Sequence, residues 1–210
     1  FDYIGINTGD QYSKVVVIFD LGVVGDSTAN FTFYFDDIEL SGGGSGAGLA
    51  LPLDFESATA DYTYTNFDGG NAVKMANPNM SGINTSANVT RMIKSAGQVW
   101  GGSWIAMDNP IDFSTNKQFN MKVWSPRAGA RVLLKVENAS NGAISYEKED
   151  TMTTANAWEM LTFDYSAINT ADQYSKVVVI FDLGVMGDSS ANFTFYFDDI
   201  ELVMGGGGPM

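Results

Sequence analysis

The sequence predicts an all-β chain: a two-sheet antiparallel β-sandwich, arranged as a tandem repeat. Three observations lead there. Apolar and polar residues alternate with a period of two along most of the chain, and no stretch carries an apolar stripe of helical period. Gly, Pro and Asn pairs cut this pattern into short runs. Finally, residues 1–40 return as residues 163–202, differing only at Ile4/Ser166, Gly5/Ala167, Gly9/Ala171, Val24/Met186 and Thr28/Ser190.

The repeat sets the expected domain organisation. Each copy runs into a glycine tract, SGGGSGAG at 41–48 and GGGGP at 205–209, a composition that behaves as flexible coil. The repeat distance is too long for a solenoid unit, so each repeat is expected to be an independent domain. Residues 1–40 read as the C-terminal part of an upstream repeat domain, 41–49 as a linker, 50–203 as one complete sandwich, and 204–210 as the start of the next linker. Roughly 150 residues bury about 70% of the unfolded chain's surface, whereas a forty-residue piece cannot fold alone. Residues 1–40 are therefore expected to draw their remaining strands from an upstream segment or a neighbouring molecule.

The strands of the complete unit follow in order. Residues 51–55 (LPLDF) and 62–67 (YTYTNF) lead into the Asp68-Gly69-Gly70 turn. Residues 72–75 end at Asn77-Pro78-Asn79, and 87–94 and 103–107 precede Asn109-Pro110. In 118–124 (QFNMKVW), Phe119, Met121 and Val123 share one face and Asn120, Lys122 and Trp124 the other. Ser125-Pro126 and Gly129 separate this run from 131–137 (RVLLKVE), where Val132, Leu134 and Val136 face in and Arg131, Leu133, Lys135 and Glu137 face out. Asn141-Gly142, a strong hairpin signal, joins it to 143–147. Residues 158–165 follow, then 176–182 (KVVVIFD), apolar enough to be a central strand covered on both sides. Residues 192–202 (NFTFYFDDIEL) close the unit.

Composition narrows the function. The chain has no cysteine and no histidine, which removes disulfides, thiolate metal sites and the commonest general base. Its net charge of −14, with only 11 basic residues, argues against nucleic acid as a partner. No apolar run reaches membrane-spanning length. An acidic surface rich in Gly, Ser, Thr and Asn suits an extracellular protein, secreted or on the cell surface, and favours hard cations such as calcium. No acid pair sits in a recognisable catalytic motif, so no enzyme activity is expected.

Several segments carry a resemblance. Leu53-Asp54-Phe55-Glu56, FNMKVWSP (119–126) with VLLKVE (132–137), TTANAWEMLTFDYS (153–166) and FTFYFDDIEL (193–202) resemble the jelly-roll carbohydrate-binding modules of the galactose-binding-like group. GINTSANV, PIDFS and FYFDDIEL look like a repeated module of exported Bacteroidota multidomain proteins. The resemblance implies a structural calcium held by an acid of the first strand and an aspartate of the last. The matching positions are Glu56 and Asp198, with Asp199 as substitute and Asp36 and Asp37 in the other copy. Asn84 and Ser86 are the expected further ligands.

Sugars are bound by flat aromatic faces and by polar groups that meet hydroxyls. Of the four tryptophans, Trp158 reads as packed core, and Trp100 and Trp104 flank a Gly-Gly pair. Trp124 is expected to form a platform with Lys122, Lys135 and Glu137, with Trp100 or Trp104 at its rim, for a polysaccharide whose tandem binders add avidity. The alternative is a structural or adhesive repeat of a long bacterial surface protein, touching mainly neighbouring repeat domains.

Overall fold

The computed structural model describes residues 16–19, 24–26, 33 and 49–205. Among these, the alternating runs become ten strands: β1 Thr65–Phe67, β2 Gly70–Ala76, β3 Asn88–Lys94, β4 Gly102–Ala106, β5 Gln118–Ser125, β6 Arg131–Glu137, β7 Ser145–Thr151, β8 Ala157–Asp164, β9 Lys176–Phe181 and β10 Thr194–Val203. The described residues hold no α-helix, only a 3-10 turn at Ala191–Phe193. The first sheet runs β1-β4-β9-β6-β7 and the second β2-β3-β10-β5-β8. Every ladder is antiparallel.

Alternation explains the packing. Val132, Leu134 and Val136 of β6 and Phe119, Met121 and Val123 of β5 are fully buried between the sheets, with Phe195, Phe197 and Phe181 at the centre of the core. Each such side chain contributes roughly 1.5–3 kcal/mol by leaving water. β9 is the middle strand of the first sheet, as its unbroken apolar run requires. Val177, Val179 and Phe181 enter the main core, while Val178 and Ile180 are buried on the other side.

Residues 62–64 and 143–144 lie outside β1 and β7, and the structure departs further from the sequence reading in four places. Residues 51–55 form no strand; Leu53 alone bridges Ile200. Pro52 has no N–H to give a ladder, and Phe55 takes a left-handed φ of 57° that breaks extension. Leu133 does face outward but is 2% exposed, covered within a second apolar cluster. Trp158 is buried, yet it points away from the inter-sheet core, because its strand neighbours Leu161 and Phe163 fill that side. Most consequentially, β5 and β6 lie in different sheets. The link between them, bent at Pro126 and at Gly129 (φ 78°), crosses from one layer to the other, so their outer faces are on opposite sides.

The chain divides into two units, Phe1–Ala47 and Gly48–Met210. The strands expected for residues 1–40, the linker at 41–49 and the calcium positions Asp36 and Asp37 fall mostly or wholly outside the described residues. Within the first unit, the rings of Phe19 and Phe33 stack at 4.7 Å and 3°. Their counterparts in the matching segment, Phe181 and Phe195, stack at 4.5 Å and 13°.

Candidate functional site

The first sheet's outer face is built from alternate residues of four strands. Register places Trp104 of β4 beside Val178 of β9, Val178 beside Lys135 of β6, and Lys135 beside Glu147 of β7. Leu133, Val178 and Ile180 form an apolar floor, and Phe67, Trp104 and Leu183 pack against it. Charge frames that floor. Lys135 Nζ lies 2.9 Å from Glu137 Oε1 and 3.9 Å from Glu147 Oε2, and Lys176 Nζ stands 4.6 Å from the centre of the Trp104 ring. The Trp104 indole N–H has no hydrogen-bond partner among the described residues.

Trp100 projects from the loop between β3 and β4, which closes on the β1–β2 turn. Gln98 N donates to Asp68 O and Ser95 N to Gly69 O. A Cβ on Gly97 or Gly101 would lie 2.3 Å from the Asp68 carbonyl oxygen, so only glycine permits this approach. The indole is about half exposed, and its N–H donates to Asp68 Oδ2 at 2.9 Å.

The second sheet's outer face carries a different row. Val73, Arg91, Tyr196, Trp124 and Trp158 are successive cross-strand neighbours over β2, β3, β10, β5 and β8. Trp124 meets Tyr196 edge to face at 5.4 Å. The β2–β3 loop crosses this face: Asn84 Nδ2 donates to Asp198 Oδ2 at 2.9 Å, and Asn79 O accepts the Trp158 indole N–H at 2.7 Å.

The predicted platform is therefore divided. Lys135 and Glu137, with Trp104, stand on one side of the sandwich; Lys122 and Trp124 stand on the other. Sequence reasoning missed Lys176 and Glu147 on the first face and Arg91 and Tyr196 on the second. Strand parity was available for each, but parity does not say which sheet a strand joins.

The five expected calcium ligands are each engaged otherwise. Glu56 accepts from the backbone N–H and side-chain amide of Asn88, both at 2.8 Å. Asp199 Oδ2 pairs with Lys122 Nζ at 2.5 Å. Asp198 Oδ1 accepts the Asp199 N–H, and Ser86 and the Asn84 amide bond its carboxylate. Among the described residues no three acidic side chains gather as a metal cluster. An N–H donor facing Asp198 and an ammonium at Asp199 do not suit a cation that requires six to eight oxygens. The residues as arranged do not fit calcium, and no functional role is assigned to it.

No family model and no curated protein matches this sequence. Solved structures do. One is a family 11 carbohydrate-binding module from Clostridium thermocellum in complex with a β-1,3-1,4-mixed-linked tetrasaccharide; it has a TM-score of 0.52 and 13% identity, over 72% of this chain and 92% of that one. Another is an exo-β-agarase, with a TM-score of 0.53 and 12% identity, over 74% of this chain and 25% of the enzyme. This chain has the β-sandwich fold of carbohydrate-binding modules. Identities this low establish the fold alone.

Proposed function

We propose that this chain is a non-catalytic carbohydrate-binding domain whose first-sheet outer face takes an extended neutral polysaccharide. The supporting observation is the floor of Leu133, Val178 and Ile180 edged by Trp104, Lys135, Glu137 and Lys176. The floor itself is buried and supports the side chains above it; the partly exposed Trp104 indole offers the C–H faces of sugar rings a flat stacking surface and a free N–H. The lysines donate to hydroxyls and the glutamates accept from them. From Trp104 to Glu147 the row covers three inter-strand steps, about 14 Å at the usual spacing, long enough for a short oligosaccharide.

A site of this kind holds its ligand by a few hydrogen bonds of about 1 kcal/mol net each, so a single domain binds at micromolar strength or weaker. Tandem copies, which the match of residues 1–40 to 163–202 suggests, would then supply avidity. We place such a protein outside the cell, secreted or surface-bound. The same near-identity of copies favours a second reading, an adhesive or spacer repeat whose length matters more than its faces.

Affinity electrophoresis against mixed-linkage β-glucan and xylan, with Trp104→Ala as control, separates the two. The binding reading expects retardation that disappears in Trp104→Ala. A folded parent that no neutral glycan retards leaves the spacer reading.

A further inference from the structure

We infer that the opposite outer face, on the second sheet, is a separate binding site for an acidic saccharide, in which Arg91 receives a sugar carboxylate while Trp124 and Tyr196 hold the ring. This goes beyond the neutral-glycan site and uses none of its residues.

The inference begins with Arg91, whose side chain neither hydrogen-bonds nor ion-pairs with any described residue. Its Nε is enclosed by the protein with no partner. The contrast with the chain's other two arginines is direct. Arg127 is bound to Asp182 and Arg131 to Glu149, as expected in a chain with 25 acidic residues. A half-buried guanidinium without a counter-charge is a planar fork of donors whose natural complement is a carboxylate.

The surroundings select the rest of the ligand. Tyr196 sits directly across from Arg91, and Trp124 directly across from Tyr196. Neither the Tyr196 hydroxyl nor the Trp124 indole N–H has a hydrogen-bond partner among the described residues, whereas the neighbouring Trp158 spends its N–H on Asn79. Arg91 and Trp124 are two inter-strand steps apart, about 10 Å, a span that the arginine side chain and a sugar ring fill between them. Three unpaired polar ends on an aromatic surface suit a ring bearing hydroxyls and one acid group.

A peptide suits this face less well. Arg91, Tyr196 and Trp124 lie on β3, β10 and β5, the three interior strands of the sheet, so no free backbone edge is offered for strand addition. The net charge of −14 opposes any anion at long range, but screening confines that opposition to about 8 Å at physiological salt. Of the acids that β10 places on this face, Asp199 is neutralised by Lys122 and Asp198 is fully buried beneath Asn84, while Glu201 stands opposite Asn120, four residues along β5 from Trp124 and about 13 Å away.

The test is calorimetric titration of the intact chain with oligogalacturonate, with its fully methyl-esterified form and with mixed-linkage β-glucan, at physiological salt. Oligogalacturonate is expected to bind and the ester to bind at least tenfold more weakly. Arg91→Gln and Trp124→Ala are each expected to weaken oligogalacturonate at least tenfold and to leave β-glucan unchanged; Trp104→Ala is expected to do the reverse. Arg91→Lys, which keeps charge without the fork, should fall between parent and Arg91→Gln, and circular dichroism checks that each variant is folded. The inference is overturned if oligogalacturonate does not bind, if the ester binds equally well, if a folded Arg91→Gln binds like the parent, or if oligoglutamate binds as tightly as oligogalacturonate. Absence of β-glucan binding alone would count against the first face and leave this one standing.

Discussion

The Lys94 ammonium, at the end of β3, donates to the backbone carbonyl of Asp182, just beyond β9, at 2.8 Å. Its other donors reach the carbonyls of Phe181 at 2.7 Å and Val99 at 2.9 Å. Lys94 is 1% exposed, so one side chain ties the second sheet to the first and to the loop that carries Trp100. Lys94→Met keeps most of the volume but leaves three carbonyls to find new partners. The expected loss is about 2 kcal/mol, read as a lower urea midpoint with unchanged slope. A variant as stable as the parent would show the bonds to be incidental.

Asp198 gives the fold a pH dependence of known sign. Burial, with the nearby Asp199 charge, pushes its carboxyl up to about 6, against hydrogen bonds from Ser86, Asn84 and the Asp199 N–H that pull it down. The folded state therefore holds this proton more tightly than the unfolded chain, and this group's contribution to stability grows as pH falls from 7 towards 4. Asp112, Asp164 and Asp188 act oppositely: hydrogen bonds from the serine two residues on hold them below the usual carboxylate range, and that stability is lost at low pH. Subtraction isolates Asp198. Asp198→Asn should be more stable than the parent at pH 7, and the gap should narrow steadily as pH falls towards 4. A gap independent of pH would contradict the assignment.

Calcium provides a second test at the same place. A metal that binds only the folded state raises Tm by mass action. The pairing of Glu56 with Asn88 and of Asp199 with Lys122 predicts no change in Tm between excess chelator and millimolar calcium. A rise of several degrees would show that these pairs open and that the five residues regroup around the ion.

How far the sequence carried can be judged from particular residues. β6 emerges with the bounds the alternation indicated, and the apolar run of β9 placed it correctly at the sheet's centre, because side-chain parity and burial are local properties. The division of Trp124 from Lys135 was not legible. It depends on which sheet each strand joins, and that is decided by long-range pairing such as Trp124 with Tyr196 and Lys135 with Val178. Leu133 and Trp158 show the same limit. Both face outward by parity, and only tertiary cover buries them.

The boundary between the two units, Ala47 and Gly48, falls in a glycine-rich tract, and the main core is built from residues beyond it. Residues 49–205 expressed alone are therefore expected to fold, with a single cooperative transition. Failure of this fragment to fold would mean that residues 1–48 complete it, and the repeat reading would have to be abandoned.

Because the two faces are separate, their residues should not couple. Trp124 and Lys135 lie on opposite sides of the sandwich, and distant sites add to within about 0.5 kcal/mol. The Trp124→Ala, Lys135→Ala double variant should accordingly show the sum of the single losses in urea stability. Trp104 and Lys176 are the contrasting pair, with the ammonium 4.6 Å from the ring centre. Such a contact is worth about 0.5–1 kcal/mol at an exposed site, so their cycle should return a coupling of that size. It should shrink in Lys176→Gln, which keeps length and loses charge. Strong coupling between Trp124 and Lys135 would instead require them to share one surface, contrary to the sheet assignment on which both proposed sites depend.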